Sequence, residues 1–184
     1  MNKKGSVILW ISLALAILLI AVIFLYFVLF KSNNEALYSG QTLKNPVTGL
    51  NDSQAIAVFD ESFVHYLLVS IKAYNLHNVP LSSNYPKLEI DVGGDLFSAS
   101  VKKGIISVNR GAVEKEDVII RTTKEEAVKM MRDKSYVTKS FNDGKSTIEL
   151  VADKTTLFAK GYLNMYNELT GKSITGDIIR ISVG

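Results

Sequence analysis

Residues Asp117–Met131 read DVIIRTTKEEAVKMM, and the hydrophobic period changes partway along. Val118 to Arg121 reads as a strand. Beyond Thr122-Thr123, the apolar residues Ala127, Met130 and Met131 fall at steps of three and four, the spacing of one helix face. The junction carries a helix start. Thr122 with Glu125, or Thr123 with Glu126, makes a capping box, and the acids suit the positive end of the helix dipole. A strand that feeds straight into an acidic-capped helix sets the frame for what flanks it.

Upstream, the period is two. Leu88, Ile90 and Val92 alternate, Gly93-Gly94-Asp95 turns the chain, and Phe97, Ala99 and Val101 alternate on the return. Lys102-Lys103-Gly104 turns it again into Ile106 and Val108, giving an antiparallel meander. Ahead of it, Ile56, Phe59, Phe63, Leu67, Ile71 and Tyr74 predict one helix, capped by Asp52 or Ser53 and ending near Asn78 before Pro80. Downstream, Tyr136 to Phe141 reads as a short helix stopped by Asn142-Asp143-Gly144, and Thr147 to Val151 as a fifth strand. Asp153 or Thr155 caps a last helix with Phe158, Tyr162, Met165 and Leu169 on one face, and Gly171 ends it. Ile178 to Val183 is a possible extra strand.

The N-terminus follows different rules. Ser6 to Phe30 is 25 residues without a charge, Gly or Pro. As a helix it would measure ~37 Å against ~30 Å of hydrocarbon. It is too long for a cleaved signal, and no Ala-x-Ala site follows. A prepilin-like signal at Lys3-Lys4-Gly5 is a weaker alternative, because Trp10 stands where such pilins carry glutamate. Lys3 and Lys4 precede the apolar run, and Lys31 and Glu35 follow it. This bias favours a cytoplasmic N-terminus and an extracytoplasmic C-terminal domain. The expected organisation is a short cytoplasmic segment (1–5), a transmembrane helix (6–30), a juxtamembrane linker (31–50), a folded domain (51–171) and a tail (172–184).

The three lysines at 3, 4 and 31 account for the whole net charge of +3. The remainder is balanced, so no basic surplus points to a nucleic-acid partner. Zero Cys excludes disulfides and thiolate chemistry. Asp143–Thr147, DGKST, imitates the end of a nucleotide-binding P-loop, but the first Gly of that motif would fall on Lys139. For Gly171-Lys172-Ser173 it would fall on Tyr166. No nucleotide is expected. His65 and His77 lack metal-ligand spacing, so no metal or other cofactor is expected. No nucleophile motif marks an enzyme. Glu114-Lys115-Glu116-Asp117 reads as a solvated loop. Asn51-Asp52-Ser53 is a glycosylation sequon, read first as a helix cap. Met130, Met131, Phe141, Phe158, Tyr162, Met165 and Tyr166 are a plain core by spacing, or the walls of a hydrophobic cavity.

The order of elements in DVIIRTTKEEAVKMM and in Phe141–Tyr166, FNDGKSTIELVADKTTLFAKGYLNMY, resembles the sterol carrier protein type 2 (SCP2) family. The resemblance covers roughly 52–171. It departs from the family pattern at Ala152, where a Gly is expected before Asp153, and at Asp133-Lys134, where a Gly often follows the first helix. It implies an α+β fold with a five-stranded, mostly antiparallel sheet covered by helices. It also implies an apolar tunnel between the layers, able to accept acyl chains or sterol-like lipids. By position, Met130, Phe141, Phe158, Tyr162 and Met165 would line it. The resulting expectation is a membrane-anchored lipid-binding protein. The alternative is an anchored structural or protein-interaction module, a pilin-like surface subunit among them, with no ligand.

Overall fold

The computed structural model describes residue 13 and residues 15–23, 43–79 and 82–172. Residues 1–40 and 41–184 form separate units. In the first unit, residues 15–23 are helical and exposed along their whole length. The rest of the expected transmembrane helix lies outside the described residues, as do most of the linker and the possible strand at 178–183. Among the described residues no helix is long and apolar enough to cross a membrane.

The second unit is α+β. It opens with α1 (Asp52–Ala57) and α2 (Glu61–Ser70), followed by a 3-10 turn, Ala73–Asn75. Next come β1 (Lys87–Val92), β2 (Asp95–Lys102), β3 (Ile105–Arg110) and β4 (Val118–Thr122). Then α3 (Lys124–Arg132), α4 (Tyr136–Asn142), β5 (Thr147–Leu150), α5 (Lys154–Ala159) and α6 (Tyr162–Thr170) complete it. The sheet order is β3-β2-β1-β4-β5. The expected meander is present: β1–β2 and β2–β3 are antiparallel, as is β4–β5. The central β1–β4 seam is parallel, with Ile90 opposite Ile120, so the sheet is mixed.

Alternation sets the two faces. Leu88, Ile90, Val92, Phe97, Ala99, Val101, Ile106, Val118 and Ile120 are buried and belong to one core. Phe63, Val64 and Leu68 of α2, Met130 of α3, Val137 of α4 and Leu169 of α6 complete it from the helical side.

Two helices expected to be continuous are each divided. The first breaks between Ala57 and Glu61 without Gly or Pro, because Asp60 competes as a new cap: its carboxylate accepts from the Ser62 N–H at 2.9 Å. The start belongs to Asn51, not Asp52 or Ser53. Asn51 and Gln54 form a reciprocal capping box at 2.9 Å, which occupies the sequon's acceptor side chain. The last helix breaks at Gly161, whose φ of +84° leaves the right-handed region. Asp153 is the N-cap of its first half, as expected.

Acid should loosen this framework in two stages. Burial holds the His65 imidazole below its ordinary value of 6.5, against a backbone hydrogen bond that raises it. Its contribution is therefore present above about 6.5 and lost as pH falls. Asp153 and Asp133 are held below the ordinary 3.8 by the Thr156 and Ser135 hydroxyls and N–H groups, and Asp95 by Lys124. Those contributions are lost only as pH falls below about 4. Urea midpoints measured from pH 8 to pH 3 should decline gently below 6.5 and steeply below 4. A midpoint that rises on acidification would contradict this assignment.

Candidate functional site

A small, half-open apolar pocket of about 40 Å³ lies between sheet and helices. Its walls are Val64, Leu67 and Leu68 of α2, Ile71, Ile90 of β1, Ile120 and Thr122 of β4, Met130 of α3, Phe141 of α4 and Leu169 of α6. The parallel seam builds the floor, because Ile90 and Ile120 are register partners on the same face. Thr122 is the one wall residue with a polar side chain. A larger concavity, about 440 Å³, is an open surface trough bordered by Leu43, Lys44, Pro46, Glu61, Ser62, His65 and Val108. Its charged rim would have to be desolvated by an apolar ligand, which is unfavourable. The apolar pocket between sheet and helices is the better candidate for an apolar guest.

Of the five expected liners, Met130 and Phe141 reach this cavity. Met165 is buried in the core but is not part of the wall. Phe158 is 72 % exposed. Gly161 is the reason: by restarting the helix it shifts the phase, so Phe158 leaves the stripe that Tyr162, Met165 and Leu169 share. Tyr162 is fully buried but serves a polar cluster, its hydroxyl donating to Asp117 Oδ2 at 2.9 Å.

That cluster replaces the solvated loop expected at Asp117. Lys160 has no exposed surface, and its Nζ donates to Asp117 Oδ1 and Oδ2 at 2.8 and 2.9 Å and to the Tyr85 carbonyl at 3.2 Å. The Lys87 N–H donates to Asp117 Oδ2 at 2.8 Å. The Asp117 carbonyl accepts from the N–H groups of Val151 and Ala152 at 2.9 and 3.0 Å. Burial, then the adjacent Asp117 carboxylate, pushes the Tyr162 hydroxyl far above its ordinary range, so it remains a donor. Every group is paired, and the cluster fastens the starts of β1 and β4 to the α5–α6 junction. No signal in the run EKED separates Asp117 from its solvated neighbours.

A second polar cluster occupies the DGKST segment. Gly144, at φ +70°, ends α4, and the N–H groups of Lys145 and Ser146 return to the Ser140 carbonyl at 3.0 and 3.2 Å. Thr122, Ser146, Ser140 and Glu126 then form a side-chain chain. The hydroxyls of Thr122 and Ser146 are 2.7 Å apart, and those of Ser146 and Ser140 are 2.9 Å apart. Ser140 donates to Glu126 Oε2 at 2.9 Å, and Lys129 donates to Glu126 Oε1 at 2.9 Å. Desolvation raises the Glu126 pKa, but hydrogen bonds from Lys129, Ser140 and Tyr136 outweigh it and hold the carboxyl ionised below its ordinary value. Thr123, not Thr122, caps α3, and Glu126 turns inward rather than back to the cap. The residues that imitate a P-loop ending therefore cap a helix and wire a buried carboxylate. Among the described residues no group of three or more His, Cys, Asp or Glu is placed to hold a metal.

No protein-family model matches the chain, and no curated protein matches it. Among solved structures, the chain is similar to the stereoselective inverting sec-alkylsulfatase Pisa1 from a Pseudomonas species. Identity is 12 % over 65 % of this chain and 17 % of that one, with a TM-score of 0.38. It is similar to the UbiJ-SCP2 ubiquinone synthesis protein at 13 % identity, over 55 % of this chain and 77 % of that one, with a TM-score of 0.32. It is similar to sterol carrier protein 2 like 2 from Aedes aegypti at 18 % identity, over 53 % and 94 % of the two chains, with a TM-score of 0.32.

Proposed function

We propose that this chain is a membrane-tethered, SCP2-like carrier that holds an apolar ligand between its sheet and helices. The observation that carries the reading is the half-open apolar pocket, walled almost wholly by aliphatic and aromatic side chains from six elements of the fold. Small-molecule sites measure roughly 300–1,000 Å³, so a pocket of about 40 Å³ must enlarge before it can take a ligand. Occupation by an acyl chain requires α4 and α6 to move away from α2. Met130 and Phe141 suit that role, because flexible thioethers and aromatic rings repack readily. The anchor is supported by residues 15–23, an apolar helix in which Leu15, Leu18 and Ile20 are each 65–66 % exposed. Tethering concentrates the domain at the bilayer from which a ligand would come.

The small volume also favours a second reading, a filled-core module that docks a protein partner. Native mass spectrometry separates them. The full-length chain would be purified, cleaved near residue 40, and the domain released without extraction. A retained lipid mass, or saturable uptake of a fluorescent hexadecyl chain, is the expected result. A domain without lipid that takes up no probe would overturn the carrier.

Val64→Leu tests the location. Its extra methylene enters existing space, so stability should rise by about 0.8 kcal/mol while probe uptake falls. Urea denaturation and a titration of the same probe measure the two effects.

A further inference from the structure

One end of the sheet collects exposed apolar side chains and unpaired lysines. The register brings together the starts of β1, β3 and β4 and the ends of β2 and β5. Lys87 lies opposite Ser100, Lys102 opposite Ile105, Leu88 opposite Val118 and Val118 opposite Leu150. Ile105 and Val151 flank this end, 54 and 45 % exposed. The α5 helix, with the exposed Phe158, is held here too, because Lys160 just beyond it is bound to Asp117 and to the Tyr85 carbonyl. Lys102 and Lys103 form the β2–β3 turn, Lys115 lies in the loop before β4, and Lys154 opens α5 one helical turn from Phe158. All four lysines are exposed. Among the described residues none of them is in an ion pair. Lys102 sets its ammonium over the Tyr85 ring at 5.1 Å. Lys103 and Lys115 hold left-handed backbone, φ +51° and +56°, a conformation that is costly for any residue but Gly. The acids at this end are Glu114, Glu116 and Asp153, and Asp153 is engaged in capping α5.

We infer that this end of the sheet is a docking face for an anionic lipid surface. Phe158, Val151 and Ile105 enter the headgroup boundary, and the lysines meet lipid phosphates. Interfacial binding adds these two terms, apolar burial and attraction to anionic lipid. The opposite end offers neither. Its cations Lys124, Arg110 and Arg121 are already paired with Asp95, Glu61 and Glu149 at 2.6, 3.2 and 2.6 Å. The chain length brings the face within reach. Phe30, the last residue of the apolar run, and Leu43 are separated by at most about 45 Å of extended chain, comparable to the width of a domain this size. The tether therefore lets any face meet the bilayer, and the surface chemistry selects this one. The inference rests on the membrane-tethered reading and adds how the domain meets the membrane.

The chain has no Cys and a single Trp, so two reporters can be read separately. The full chain is placed in nanodiscs of phosphatidylcholine and phosphatidylglycerol whose acyl chains carry bromine close to the headgroup. Trp10 fluorescence reports the tether. Bimane on Thr155→Cys reports the proposed face, and bimane on Asn142→Cys, ahead of the start of β5, reports the far end; both positions are exposed. The bromolipid should quench Trp10 and the bimane at position 155, but not the bimane at position 142. Phe158→Ser should lower the docking equilibrium roughly tenfold and Lys103→Gly about fivefold. Neither should lower the urea midpoint, because Phe158 is already in water and Gly accepts a positive φ. Pure phosphatidylcholine should remove most of the quenching at position 155. Equal bimane quenching at the two positions, or quenching at 155 that ignores both variants and the anionic lipid, would overturn the docking face while leaving the tether intact. An unquenched Trp10 would overturn the tether and this inference with it.

Discussion

Lys160→Met is expected to destabilise the domain by about 3–5 kcal/mol, the usual cost of leaving a buried charge without its partner. Lys160 is wholly buried and Asp117 is 4 % exposed, so water cannot take over the missing ammonium. Asp117 would keep two donors, the Tyr162 hydroxyl and the Lys87 N–H, both on Oδ2. Oδ1 would lose its only donor. The Tyr85 carbonyl loses its Lys160 contact as well.

A double variant separates charge from packing. Asp117→Asn in the Lys160→Met background removes the stranded charge, while an amide oxygen in the Oδ2 position still accepts from Tyr162 and Lys87. It should recover at least half of the loss. Urea unfolding followed by circular dichroism measures both. A single variant within about 1 kcal/mol of the parent would show that the pair contributes no more than an exposed salt bridge.

The elements whose boundaries could be read from sequence are those fixed by local chemistry. The alternation around Leu88, Phe97 and Ile106 places three strands, Asp153 and Thr123 mark helix starts, and Gly171 marks a helix end. Features set by distant partners were not legible. Asp117 lies in a run of charged residues, and its partner Lys160 is 43 positions away in the stretch that reads as the last amphipathic helix. The parallel seam was also hidden. A tight turn after β3 would reverse the chain, whereas the loop between Arg110 and Val118 returns along the sheet and lets β4 run beside β1.

The site was legible only in part, and for the same reason. Met130 and Phe141 were expected in the wall by their position in the resemblance to the SCP2 family, on two short helices that the structure keeps. Phe158 was misplaced because a helical stripe drawn through Gly161 ignores the change of phase there. The aliphatic walls from α2 and β1 carry no chemical signature, so nothing distinguishes Leu68 or Ile90 from any other core residue until the layers are superposed. Thr122 reads as a helix cap, and only the structure shows its hydroxyl bonded to Ser146 instead.

Phe97→Ala should cost about 3–5 kcal/mol, although Phe97 itself is not part of the pocket wall. Phe97 has no exposed surface and packs edge-on against Phe59 at 6.2 Å, and Phe59 meets Phe63 at 4.9 Å. Arg110 lies 5.6 Å from the Phe97 ring and pairs with Glu61 at 3.2 Å, closing the β2–β3 end of the sheet over α2. None of the three rings reaches the cavity wall. The aromatic cluster fastens the helical layer beside the pocket, whose wall includes Phe141, which is only half-buried. Phe141→Ala should cost about half as much, since the loss scales with apolar area buried, and should change ligand uptake because Phe141 is itself part of the wall. Native-state hydrogen exchange provides the independent check. Amides of α4 should open locally at lower free energy than those of β1 and β2, whose exchange should need global unfolding. Equal protection of α4 and β1 would mean that the layers part only when the whole domain unfolds, and the carrier mechanism would lose the motion it depends on.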